Sequence, residues 1–107
     1  MANKKENAMI LMEEIIQGIE NVKGESIQKM DLRKIENTPF EFFVICSGNS
    51  NTQVSAIVNS IQKNVSKRLH EKPLHTEGLE MSEWVLIDYV NVVVHVFQRK
   101  TREFYNI

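Results

Sequence analysis

With 107 residues and 25% of them charged, the chain has the length of one globular domain, which commonly takes on the order of 100–150 residues. A formal net charge of −1 argues against a protein held to nucleic acid mainly by phosphate neutralisation, so no direct sequence-specific nucleic-acid partner is expected. The lone cysteine, Cys46, excludes an internal disulfide or a Cys-rich zinc site and fits a reducing, cytoplasmic setting.

The opening "MANKKENAMILMEEIIQ" has two lysines followed by apolar residues. Glu13 and Glu14 interrupt that run well before the ~18–20 residues of a membrane span, and neither a signal-peptide cleavage pattern nor a transit-peptide composition is present. No membrane partner is expected. Ala8, Leu11, Met12, Ile15, Ile16 and Ile19 recur at helical spacing, so residues 3–20 read as an amphipathic helix, stopping near Asn21 and Gly24. "SIQKMDL", residues 26–32, reads as a short edge strand with Met30 and Leu32 on one face and Ile27 on the other. The run "FEFFVICS", residues 40–47, has the composition of a strand buried on both faces, and is expected at the centre of a sheet.

A second amphipathic helix follows, with Val54, Ile57, Val58, Ile61, Val65 and Leu69 at steps of three and four. Ser50 and Gln53 form a capping box at its start, with the Ser50 hydroxyl accepting from the Gln53 amide and the Gln53 side chain reaching back. Pro73 closes the segment, "LHTEGLEMS" leads on as strand or loop, and "RKTREFYNI" has the makings of a third helix. Helices and strands in this order predict a single α/β domain over residues 1–107, a mixed sheet packed with helices. The link from residues 40–47 through the second helix is long enough for a right-handed crossover to the next strand.

The run "EWVLIDYVNVVVHVF", residues 83–97, reads as a hairpin turning at Tyr89 and Val90. In that register Asp88 meets Asn91, Ile87 meets Val92, Leu86 meets Val93, Val85 meets Val94 and Trp84 meets His95. Alternation then sorts Val85, Ile87, Val92, Val94 and Val96 onto one aliphatic face. Trp84, Leu86, Asp88, Asn91, Val93, His95 and Phe97 fall on the other, with the aromatic and polar mixture of a contact surface. Core residues with satisfied polar ends would give the same pattern, and alternation alone leaves both readings open.

Catalytic chemistry finds little support. "SGNSNTQV" could hold a phosphate at a helix N-terminus, but capping and a turn explain the same residues. The two aspartates, Asp31 and Asp88, lie in different predicted strands with no glutamate within two residues of either, which argues against magnesium-dependent phosphoryl transfer. His70, His75 and His95 do not make a zinc pattern, and "CSGNS" is not a nucleophile elbow. Cys46 in the most apolar strand reads as an inert thiol, and charge runs such as "KKE" and "RK" read as solvated faces. Neither a metal nor a cofactor is expected.

In order and spacing, "FFVICSGNSNTQVSAI", "TEGLEMSEWVLIDYVNVVVHVF" and "TREFYN" resemble the ribosomal silencing factor, or Iojap-like, family from about Ile10 onward. The resemblance implies a nucleotidyltransferase-like fold without catalytic acids and a protein that is not an enzyme. It would dock on the large ribosomal subunit through ribosomal protein uL-fourteen, block joining of the small subunit and lower translation when nutrients are short; family members can also form homodimers. Carried over by motif, the partner-binding residues are Glu77, Gly78, Trp84, Asp88, Tyr89 and His95. Family members often have Gly then Asp where this chain has Val90 and Asn91, so a differently shaped turn is expected. They also usually run on past "YN" into a segment with Leu and Trp that this sequence does not show. A homodimeric assembly protein, and a small nucleotide-binding enzyme using "SGNSNTQ" with His95 as acid or base, are the alternatives.

Overall fold

Apolar side chains at helical spacing build the first element, α1 (Lys4–Asn21), whose Ala8, Leu11, Met12, Ile15 and Ile19 are buried. The computed structural model describes residues 4–107; residue 3, expected to open this helix, lies outside them. A left-handed Lys23 (φ 59°) turns the chain into strand β1 (Glu25–Asp31), and the Gly24 N–H donates to the Ile19 carbonyl at 2.9 Å. Strand β2 (Phe42–Gly48) is followed by helix α2 (Asn51–Leu69). Then come β3 (His75–Glu77), β4 (Trp84–Asp88), β5 (Val92–Gln98) and a short helix, α3 (Arg99–Tyr105).

Helix α2 begins at Ser50, whose hydroxyl accepts from the Gln53 N–H at 3.1 Å. The return half of the capping box differs from expectation. Gln53 Oε1 accepts from the Asn49 N–H at 2.6 Å, one residue before the cap, because the other end of the same amide reaches the Lys23 carbonyl. At the far end His70 takes the left-handed conformation (φ 56°) and stops the helix ahead of Pro73. Val54, Ile57, Val58, Ile61 and Val65 are wholly buried.

The five strands lie in the order β1-β2-β5-β4-β3, with β2 and β5 parallel and the other neighbours antiparallel. The sheet is therefore mixed, as expected, but β5 rather than β2 holds its centre. After α2 the chain goes to the far edge to lay down β3, and two antiparallel returns bring β5 back against β2. The helix thus does not lead straight into a strand beside β2.

The β4–β5 hairpin pairs Asp88 with Val93, Ile87 with Val94, Leu86 with His95, Val85 with Val96 and Trp84 with Phe97. This register is two residues away from the expected one. The tip is Val90–Asn91, closed by the Tyr89 N–H on the Val92 carbonyl at 2.9 Å, and Asp88 Oδ1 accepts from the Val90 N–H at 2.7 Å. A slip of one residue would exchange the two faces of a strand, whereas a slip of two restores them. Both expected faces therefore survive the changed pairing.

Helices α1 and α2 cover one face of the sheet. Phe42, Val44 and Cys46 of β2, Val85 and Ile87 of β4, and Val92, Val94 and Val96 of β5 join their apolar stripes in one core. The helices approach closely at Gly18, where a Cβ would lie 2.8 Å from the Ile61 Cα, and the Ser60 hydroxyl donates to the Gly18 carbonyl at 2.6 Å. Asn64 donates to the Glu14 carbonyl at 2.7 Å one turn along. Burial pushes the Cys46 thiol up to about 12, so the group is held as an inert thiol.

Candidate docking face

The opposite face of the sheet has no such pair of helices over it. Phe43 and Ile45 of β2, Val93, His95 and Phe97 of β5, and Trp84, Leu86 and Asp88 of β4 share it. Helix α3 folds back over one end. Arg102 donates to the Ser47 hydroxyl and the Ser26 carbonyl, each at 2.8 Å, and Arg99 joins Glu25 at 2.7 Å and also bonds Asn49. Arg99, read from "RK" as part of a solvated face, is thus tied across the sheet edge.

Aromatic rings run in a row along this face. Phe40 lies 6.0 Å from Phe43, Phe43 stacks 4.6 Å from His95, and Trp84 stacks 4.8 Å from Phe97 and sits 5.4 Å from Tyr105. The Trp84 indole N–H donates to His95 Nδ1 at 2.8 Å. Despite these neighbours 41% of Trp84 remains exposed. Two shallow depressions flank the row. One is lined by Glu77, Gly78, Trp84, Leu86 and His95. Pro39, Phe40, Leu74, Asp88, Val90 and Val93 line the other, together with Leu86 and His95, which border both.

The structure brings five of the six residues named from sequence to this groove. Trp84 and His95 form its centre, and Glu77, at the end of the edge strand, forms a rim while its carboxylate accepts from His75 Nε2 at 2.8 Å. Gly78 has a backbone role. Its φ is +91° and a Cβ there would stand 2.2 Å from the Trp84 carbonyl, so only glycine lets the chain pass beside the Trp84 backbone. Asp88 lines the second depression and holds the hairpin tip through Val90.

Tyr89 is placed elsewhere. Expected in the turn, it lies just before the tip, is 6% exposed and packs in the helix-side core. Its hydroxyl has no hydrogen-bond partner among the described residues, and burial followed by the charge of Glu71 pushes its pKa up. Phe43 and Tyr105 were missed as members of the face. The parity of Phe43 depends on the parallel β2–β5 pairing, and Tyr105 on the fold-back of α3, neither of which is local in sequence.

Burial depresses the His95 imidazole below its ordinary value, so the ring is neutral near pH 7 and able to accept from Trp84. Asp31 is held down at about 2 by Arg33, which donates to it from side chain and backbone. Asp31 and Asp88 stand on strands separated by β2 and β5 and do not make a joint metal site. Among the described residues no group of three His, Cys, Asp or Glu side chains converges to hold a metal ion. At the "SGNSNTQ" junction the Asn49 and Gln53 N–H groups are engaged in capping bonds, and the Asn49 side chain is bonded to Arg99. No helix among the described residues is long and apolar enough to cross a membrane.

Residues 4–107 match the model of a family described as "Ribosomal silencing factor during starvation". The chain is 37% identical to the ribosomal silencing factor RsfS of Chromobacterium violaceum over 92 residues, covering 86% of this chain and 74% of that one. It is 35% identical to the RsfS of Halalkalibacterium halodurans over 97 residues, covering 91% and 81%. A crystal structure of a Chromobacterium violaceum protein superposes with a TM-score of 0.83 at 33% identity, over 92% of this chain and 80% of that one.

Proposed function

From the premise that the chain belongs to the ribosomal silencing factor family, which implies ribosome-associated silencing of translation, we propose that its open sheet face docks on the large ribosomal subunit. The contact on that subunit is ribosomal protein uL-fourteen, and the body of the domain then occupies space that the small subunit needs in order to join. The protein acts in the cytoplasm, by binding and without catalysis, to lower translation when nutrients are short.

The observation that carries this reading is Trp84, a large ring left 41% exposed at the centre of an aromatic row. Aromatic side chains of this kind anchor protein interfaces, and the net charge of −1 suits docking on protein better than on rRNA. The ring already rests on Phe97 and His95, so little side-chain freedom is lost on docking. Trp84→Ala is expected to cost on the order of 2 kcal/mol or more of affinity, roughly thirtyfold, while the fold survives. Co-sedimentation with purified large subunits measures this, and equal binding by native and variant chains would reject the face. Self-association without binding to large subunits would instead point to an assembly protein that uses the same face for a second copy.

A further inference from the structure

His95 is held between the rings of Phe43 and Phe97, and its Nδ1 accepts the Trp84 indole N–H at 2.8 Å. A ring nitrogen that accepts a hydrogen bond carries no proton, so the proton of the neutral imidazole resides on Nε2. Among the described residues Nε2 has no partner within the chain, and it is not one of the buried polar atoms lacking a bond. It is therefore not sealed from solvent, on a ring that borders both depressions of the open face.

We infer that Trp84 sets the His95 tautomer, that the Nε2–H is a directional donor in the docking face, and that the partner meets it with an uncharged carbonyl oxygen. The inference rests on the docking reading and adds the chemistry of the contact. An anionic acceptor does not fit, because Glu77 and Asp88 flank the groove and like charges repel. The walls are otherwise mainly apolar, so docking removes competing water and strengthens a neutral bond. A partner without an acceptor there would leave the Nε2–H buried and unpaired, which discriminates against it. Trp84 thus has two tasks, anchoring through its ring and positioning through its N–H.

The tautomer is read directly from long-range 1H–15N correlations of the labelled chain at about pH 7.5, above the ordinary histidine range. Protonated Nε2 with bare Nδ1 is expected, shifting to a tautomer mixture in Trp84→Phe, which keeps an aromatic ring but loses the donor. A protonated Nδ1 in the native chain overturns the inference whether or not the chain binds ribosomes.

The donor is tested with His95→Phe, which retains a stacked ring and removes Nε2–H. Once circular dichroism shows that it folds, its affinity for purified large subunits is expected to fall roughly tenfold, the scale of one neutral hydrogen bond. His95→Gln, whose amide nitrogen reaches near the Nε2 position, is expected to restore most of the loss. Native binding with unchanged affinity in His95→Phe, or a folded His95→Gln no better than His95→Phe, overturns the donor role and leaves the docking face standing. Absence of binding by the native chain fails the docking reading itself, and the partner half of the inference with it.

Discussion

Val90 holds φ at +77° at the hairpin tip, where the Asn91 N–H reaches back to the Tyr89 carbonyl at 3.0 Å. A β-branched residue in that region is strained by about 1–3 kcal/mol, and its half-exposed side chain recovers little of this through packing. Glycine adopts the conformation freely but raises the entropy of the unfolded chain, which offsets about 0.4–1 kcal/mol of the relief. Val90→Gly is therefore predicted to stabilise the fold by about 1 kcal/mol, seen as a higher urea midpoint; a lower midpoint would contradict the account. The family's usual glycine at this position pointed to a differently shaped turn. In this chain the position takes a positive φ with valine in place.

His95 carries a pH dependence whose sign follows from its depressed pKa. The folded chain resists protonation of the ring more than the unfolded chain does. The resulting stability is fully present above about pH 6.5, the unfolded value, and is lost as pH falls through that value and then the lower folded one. Charged and titratable groups around the ring are Glu77 from β3, Asp88 from β4 and, through Trp84, Tyr105 from α3; β2 offers only Phe43 and Ile45. Asp31 and Glu25, both held low by arginines, act in a separate window, their contributions being present above about pH 4 and lost below it. The urea midpoint of the native chain is predicted to drop between about pH 7 and about pH 5.5, and the drop to be smaller in His95→Phe. Equal drops in the two chains would contradict this assignment.

Among the elements, the two long helices are the clearest case of sequence determining structure. Their apolar steps of three and four became the stripes of α1 and α2, because a local period needs no knowledge of distant pairing. What sequence did not show is how near the helices come. Gly18 leaves no space for a side chain above the Ile61 backbone. Alanine would ordinarily favour a helix interior by about 0.5–1 kcal/mol. Here a Cβ at 2.8 Å from Ile61 Cα must push the helices apart, so Gly18→Ala is predicted to destabilise by about 1–2 kcal/mol net, read from thermal or urea unfolding. A more stable variant would show that α1 can slide away without loss.

The sheet was legible in part, for a physical reason. Alternation in β4 and β5 separated Trp84, Leu86, Asp88, Val93, His95 and Phe97 from Val85, Ile87, Val92, Val94 and Val96 without any knowledge of register, and even the two-residue slip left that division intact. Strand order was not legible, since a parallel pair such as β2–β5 is joined through α2, β3 and β4 and has no local signature. The same dependence on remote pairing hid Phe43. Glu77 and Gly78 were named only through family resemblance, and the structure adds that Gly78 acts by admitting the Trp84 backbone.

At the scale of the whole molecule the chain is two layers with one side left open. Helices α1 and α2 seal one face of the sheet, while α3 covers only an end of the other and leaves Trp84 of the aromatic row exposed. On the proposed docking reading, this asymmetry leaves one face for the partner, and a body docked by that face excludes others by volume alone. Silencing by this route requires no chemical step and no change of shape. The most direct test is light scattering by purified ribosomal subunits as magnesium is added to make them associate, with native protein, with Trp84→Ala and with neither. Suppressed association with the native chain and normal association with Trp84→Ala is the predicted result. Association that proceeds equally in all three would contradict a steric block built on this face.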